Sequence, residues 1–441
     1  MATNDIEYLA KHHPVYLERV NRNYWINFIL LSCDSAIFTF SLAMLSQDTI
    51  LPFFVSQLTQ SKTLVGLVPA LFFLGFYLPQ LLGAYLANGR ATRKWIIFGI
   101  AVAERVGILF IALVAQFALQ LPPPQTLILF FTAYTLFAIT NGLIGPAYAD
   151  YISKAIPRRR GLFYGVMYGL GGLIGFGSSW VARYFLDRYA FPANFQTLFW
   201  VGFAASFISP FIIAAFRETP LPETSAPQPL RAFLASIPGQ VRQYPQFLRY
   251  LAARALVGLG LMGNAFYALY AIQKFELSSG SLGIFTMIIL LAQSALGFVW
   301  GWLGDRFGYK MVLTAAAVCL GLEAVLALTA PIAELYFVIA FLIGGVYAAT
   351  NICDPNIVFE IAPPHETSRF IGIANTLIAP VLGLAPLLGG ALVDLGSYPA
   401  LFTAVLVISV LAWVVIQRWL VEPRRSLNSR PPQAPLGRGG L

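Results

Sequence analysis

Apolar residues occur along this chain in blocks of twenty or more, separated by short polar stretches that carry glycine or proline. A helix that crosses a bilayer needs about 20 mostly apolar residues, and twelve blocks reach that length. The first half of the chain holds 24–45, 64–87, 95–116, 126–149, 161–185 and 195–216. The second half holds 248–272, 282–303, 311–329, 333–353, 370–393 and 401–420. Barrel strands would alternate with a period of two over about ten residues, and these blocks do not. The pattern predicts an all-α membrane protein of 12 transmembrane helices. Its expected parts are a polar segment 1–23, a six-helix half 24–216, a connector 217–247, a second six-helix half 248–420 and a tail 421–441.

Composition agrees with bilayer as the solvent. The 441 residues are 58% hydrophobic and only 11% charged, against roughly 25% charged in soluble domains. The first 23 residues mix acids, bases and a proline, which is not the layout of a signal peptide. A net charge of +9 is compatible with a nucleic-acid partner, but the basic residues lie scattered between apolar blocks, so no nucleic acid is expected. Cytoplasmic loops are enriched in Lys and Arg. With both termini cytoplasmic, 23 of the 28 basic residues fall inside, four (Lys62, Arg183, Arg188, Lys274) fall outside, and Arg105 lies within a helix. The expectation is a multi-pass protein of the cell membrane with both ends in the cytoplasm.

Residues 217–229 are proline-rich and cannot continue a helix. Leu230, Phe233, Leu234, Ile237 and Val241 follow at helical spacing with Arg231 and Arg242, predicting an interfacial amphipathic helix. The Pro-, Gly- and Arg-rich tail is predicted to be disordered. Cys33, Cys319 and Cys353 lie in apolar blocks and read as packing residues. Neither they nor the three histidines form a metal-ligand pattern, and no cofactor is expected.

The halves repeat one another. Gly66 and Asn88 find Gly283 and Asp305 at an offset of 217 residues. Thr140-Asn141, Asp150 and Arg159 find Thr350-Asn351, Glu360 and Arg369 at an offset of 210. Parallel repeats of this kind place a substrate between them near the midplane. Between the eighth and ninth blocks stands Gly301-x-x-Gly304-Asp305-Arg306-x-Gly308-x-Lys310, read as a short charged hinge. Gly83, Asn88, Arg90, Arg93 and Lys94 form a weaker copy.

Twelve spans, a central linker and this loop resemble the major facilitator superfamily, over 24 to about 420. The stretches Gln57-Leu-Thr-x-Ser61 and Leu78-Pro-Gln-Leu-Leu82 are similar to a branch of its bacterial permeases. The resemblance implies two pseudo-symmetric six-helix halves and transport by alternating access. It also implies a cytoplasmic latch at Asp305, with helix N-termini and an Arg as partners. A carboxylate near a helix N-terminus gains about 0.3–1 kcal/mol. Asn88 replaces the aspartate in the first copy, so the latch is expected to be asymmetric. Gly161, Gly165, Gly169, Gly171, Gly172, Gly175 and Gly177 in the fifth block predict close helix packing. They are similar to a glycine-rich antiporter motif of that superfamily, without its proline. Pro380, Pro386, Gly389 and Gly390 are expected to loosen the eleventh helix.

Four ionisable residues within the blocks are coupling candidates. Asp34 lies ten residues into the first block, about 15 Å deep, where a charge costs about 2.5–3.5 kcal/mol on insertion scales. It is either a proton-coupling group or a structural hydrogen-bond acceptor. Glu104, Arg105 and Glu323 lie equally deep, and each of the adjacent pair is expected to need a partner on another helix. Gln80, Tyr134, Asn141, Tyr148, Asn264, Tyr267, Tyr270, Gln293, Tyr347, Asn351 and Asn375 are candidate cavity residues. Asn264, Tyr267 and Tyr270 are expected to share one face. Interhelical hydrogen bonding would use the same residue types.

No nucleotide loop or nucleophile–base–acid set appears, so an enzyme is not expected. The leading expectation is a monomeric, proton- or cation-coupled secondary transporter, with efflux of amphipathic compounds as one direction. The rival is an uptake permease for a sugar or other polar nutrient. From another class, a non-transporting sensor or membrane-embedded enzyme on this fold would need an output domain or an acid/base pair.

Overall fold

The computed structural model describes residues 12–87, 90–220, 222, 244–361 and 367–422. Asn88, the amphipathic stretch 230–241 and the tail from 423 lie outside them. Secondary structure among the described residues is helical. Twelve elements follow the twelve apolar blocks. They are α1 (Pro14–Met44, then Ile50–Leu58), α2 (Lys62–Tyr77, then Gln80–Ala87), α3 (Lys94–Gln116), α4 (Pro123–Ala155), α5 (Arg160–Arg188) and α6 (Ala193–Phe207, then Ser209–Ala215). The second half repeats the order as α7 (Pro245–Gly260, a 3-10 turn Leu261–Gly263, Asn264–Phe275), α8 (Ser281–Phe307), α9 (Tyr309–Thr329), α10 (Glu334–Ile361), α11 (Thr367–Leu395) and α12 (Tyr398–Trp419).

Eleven of these are long and apolar enough to cross a membrane. The remaining one, α5, has 29 residues but is diluted by its glycines. Large side chains such as Trp95, Leu173, Phe298 and Trp302 point outward and are more than half exposed. A face of that kind matches lipid rather than water.

Helix α1 departs from the sequence expectation. It begins ten residues earlier than expected and resumes after a break at 45–49, ending at Leu58. The break is the counterpart of the 3-10 turn in α7, because adding the offset of 217 carries Ile50–Leu58 onto 267–275. Polar Ser46, Gln47, Asp48 and Thr49 thus interrupt a spanning helix rather than follow it.

The expected hinge also closes up. Residues 301–307 continue α8, and Gly308 alone, at φ +94°, separates it from α9. Glycine suits that left-handed backbone. Glu422 accepts from the Lys310 amide at 3.1 Å. Glu218 likewise accepts from the amides of Arg93 at 2.7 Å and Lys94 at 2.9 Å. Carboxylates thus satisfy the N-termini of both α3 and α9, which helix geometry leaves unpaired.

The halves meet along two seams, α2 against α11 and α5 against α8. A Cβ on Gly66 would lie 2.2 Å from the Pro386 carbonyl oxygen, and one on Gly283 would lie 2.7 Å from the Ser179 oxygen. These glycines are repeat equivalents, and both let backbones touch. On α5, Gly172 and Gly175 pack on Ser294 and Leu290 of α8, whereas Gly165 and Gly169, nearer the chain-terminal end, face open space. The α5–α8 seam is shut at the far end and parted at the end carrying the chain termini.

Candidate functional site

Among the described residues, three polar centres within the bundle bear on the site. The first belongs to the N-terminal half. Asp34 accepts from Tyr148 at 2.8 Å and from the Ser209 hydroxyl, to which Arg105 Nη2 also donates at 2.6 Å. Arg105 pairs with Glu104, and its Nε donates to the Ser206 carbonyl at 3.2 Å. Arg105 finds its partners on α6 and Glu104 stands against Asn141 of α4, as expected, and the two also meet each other, which the sequence reading did not expect. Both point into the core, and the long guanidinium stem turns back onto its neighbour. This centre joins α1, α3, α4 and α6, and its contacts stay within one half.

The second centre belongs to the C-terminal half. Arg254 Nε donates to Asp354 at 2.7 Å, and Tyr250 donates to the same carboxylate at 2.8 Å. Arg254, one of the 23 basic residues counted inside although it falls in the block 248–272, is buried within α7. Sequence reasoning passed over Asp354, although a carboxylate deep in an apolar block was a sufficient signal.

The third centre bridges the halves. Tyr347, near the middle of α10, donates to Asp48 at 2.8 Å and accepts from Asn264 Nδ2 at 3.1 Å. Thr49 and Thr286 share a hydrogen bond of 2.6 Å beside it, again across the halves. Asp48 is only 6% exposed. Tyr134 lies within electrostatic reach of it. The Tyr134 hydroxyl, the Asn264 carbonyl oxygen and Gln47 Oε1 are buried without a hydrogen-bond partner. Buried polar atoms of this kind are costly unless something satisfies them. Asp48 was missed because Ser46–Thr49 looked like the end of a helix.

Several cavity candidates take other positions. Tyr267 stacks on Phe402 at 5.1 Å, and Tyr270 lies 4.6 Å from the Tyr398 ring. They face α12, not the bridge. A step of three residues turns a helix by 300°, so Asn264 and Tyr270 are about 120° apart, and the single shared face is corrected. Asn375 donates to Gln80 at 2.7 Å across the α2–α11 seam. Gln293 is half-buried and Asn351 exposed. Glu323 is fully buried, and both its carboxylate oxygens lack a partner.

At the chain-terminal end, Asp305 accepts from Tyr309 of its own half at 2.7 Å. Gly304 gives room for that ring, Gly301 faces open space, and Arg306 lies over Trp302. Lys310 Nζ donates to the Gln417 carbonyl at 3.2 Å. In the first copy, Gly83 lets α2 approach the Leu143 carbonyl, and the Arg90 carbonyl accepts from Arg93. Arg93 pairs with Asp150 at 2.6 Å. No cluster of three or more His, Cys, Asp or Glu suited to a metal occurs among the described residues.

Residues 26–273 and 251–438 both match the family model of the Major Facilitator Superfamily. No curated protein matches the sequence. Among solved structures, a mutant of nucleoside transporter NupG superposes with a TM-score of 0.71 at 14% identity, covering 88% of this chain and 98% of its own. A bacterial homologue of the human lysosomal transporter Spinster, inward-facing and unoccupied, gives 0.68 at 12% identity, covering 93% and 99%. A D-xylose–proton symporter gives 0.66 at 15%, covering 91% and 99%. At these identities the likeness is one of fold.

Proposed function

Because the chain belongs to the major facilitator superfamily, we propose that its two halves alternate access to a polar small molecule bound at the Asp48–Tyr347–Asn264 bridge. As a member of a transporter family it is not an enzyme. The observation that carries the reading is the bridge itself. It joins the halves midway along the helices, and it leaves Tyr134, Asn264 and Gln47 with unused hydrogen-bonding atoms. Hydroxyl- and amide-bearing solutes suit such a set. The neighbours' titles name a nucleoside transporter and a D-xylose–proton symporter, solutes of that chemical kind. Uptake of a polar nutrient therefore ranks above efflux of amphipathic compounds, since Tyr134, Tyr267 and Tyr270 stack in aromatic clusters.

On this reading coupling to a proton or cation falls to Asp48, the carboxylate of the first half that accepts from Tyr347 of the second. The chain-terminal face is taken as cytoplasmic from its excess of Lys and Arg; on that reading the α5–α8 seam parts toward the cytoplasm, while α2 and α11 stay joined through Gln80 and Asn375. A thermal-shift screen of purified protein with nucleosides, sugars and dipeptides should find a stabilising class. That solute should then accumulate in proteoliposomes under an acid-outside gradient, and Asp48→Asn should lower accumulation at least tenfold. Accumulation unchanged by Asp48→Asn would remove it from coupling. Stabilisation by amphipathic cations alone would restore the efflux reading.

A further inference from the structure

At the face opposite the chain termini, each half presents a carboxylate to a helix N-terminus of the other. Asp394, at the end of α11, accepts from the Lys62 amide at 2.7 Å, the Thr63 amide at 2.8 Å, the Thr63 hydroxyl at 2.7 Å and the Ser61 hydroxyl at 3.1 Å. These groups open α2. Asp187, at the end of α5, accepts from the Gly280 amide at 2.9 Å, where α8 begins. The two arrangements are one arrangement built twice, since α5 and α11 are repeat equivalents, as are α2 and α8. The offset of 217 carries Thr63 onto Gly280, and 207 carries both Ser179 onto Pro386 and Asp187 onto Asp394. Beneath each carboxylate lies the glycine contact of its seam, Gly66 on Pro386 and Gly283 on Ser179.

We propose that Asp394 and Asp187 form a two-fold latch that holds this face closed and sets the balance between the two access states. The inference rests on the alternating-access reading for its consequence, while its geometry stands without a substrate. Opening this face must pull α2 from α11 and α8 from α5. The unpaired amides that begin α2 and α8 would then lose their acceptors. Every bond in the latch crosses between halves, so each exists only while the face is shut. Interactions made in one state alone are the ones that shift an equilibrium. Asp394 is exposed and Asp187 about a third exposed, so water can replace the lost bonds and the latch can release. The two arms are unequal. Asp394 receives four bonds, whereas Asp187 receives one and divides itself with Arg183 at 3.7 Å.

The test uses distances between spin labels in nanodiscs and needs no substrate. Labels at Gln120→Cys in the first half and Ser397→Cys in the second would be placed in a Cys33→Ser, Cys319→Ser, Cys353→Ser background. The unaltered latch should give mainly the short distance. Losing a helix-capping side chain costs about 1 kcal/mol, so Asp394→Ala should raise the long-distance population about fivefold. Asp187→Ala should raise it less, and the double variant by close to the product of the two. Asp394→Asn, which keeps one acceptor oxygen, should fall between wild type and alanine and serves if the alanine variant folds poorly. Distance distributions unchanged in both the asparagine and the double variants would overturn the latch, whatever the fate of the transport reading.

Discussion

Arg105 shows how one side chain organises a half. Its guanidinium touches Glu104, Ser206 and Ser209, and Ser209 in turn touches Asp34. Removing one partner of a buried ion pair leaves an uncompensated charge and costs about 3–5 kcal/mol. Arg105→Leu should therefore lower thermal stability strongly, and adding Asp34→Asn and Glu104→Gln should recover much of the loss. If melting curves showed Arg105→Leu as stable as wild type, the network would not be holding the half together. Each of these residues was visible in the sequence as an ionisable group in an apolar block. Their pairing was not, because adjacent residues on a helix meet only when a long side chain folds back, and that depends on what the other helices exclude.

Among the helices, glycine positions separate into two kinds that composition alone does not distinguish. Gly66 and Gly283 sit where backbones of opposite halves touch, whereas Gly301 has open space around it. Gly66→Ala and Gly283→Ala should each destabilise the protein by about 1–3 kcal/mol through overpacking. Gly301→Ala, inside α8, should be neutral or gain up to about 1 kcal/mol from helix propensity. Melting temperatures in a single detergent would check all three. A tolerated Gly66→Ala would mean the α2–α11 seam is looser than it stands. The break in α1 belongs to the same scale. Ser46–Thr49 read as a helix end because its polarity interrupts the apolar pattern, yet the repeat with α7 carries the helix on to Leu58. That repeat was legible at Gly66 and Asn88, one helix further on, and extending it backwards would have found Asp48.

At the scale of the whole molecule, most Lys and Arg among the described residues lie toward one face, and Asp187 and Asp394 cap helices of the opposite half at the other. Both termini should be protected from external protease in intact cells and cut in inside-out vesicles; cleavage of the tail from outside would reverse the orientation. The sequence by itself determined the membrane setting, the twelve helices, the twofold repeat and the resemblance to the superfamily, because hydrophobic length and repeated spacing are local properties of the chain. Only the tertiary structure decided which carboxylates stand at the interface between the halves. Asp34 turned inward to its own half, Asp48 reached Tyr347 from the other, and Asp187 and Asp394 reached helix ends in the opposite half, a residue separation of 331 for Asp394 and Thr63. A buried charge must find a partner, but which one it finds is settled by packing, and packing is a property of the assembled bundle.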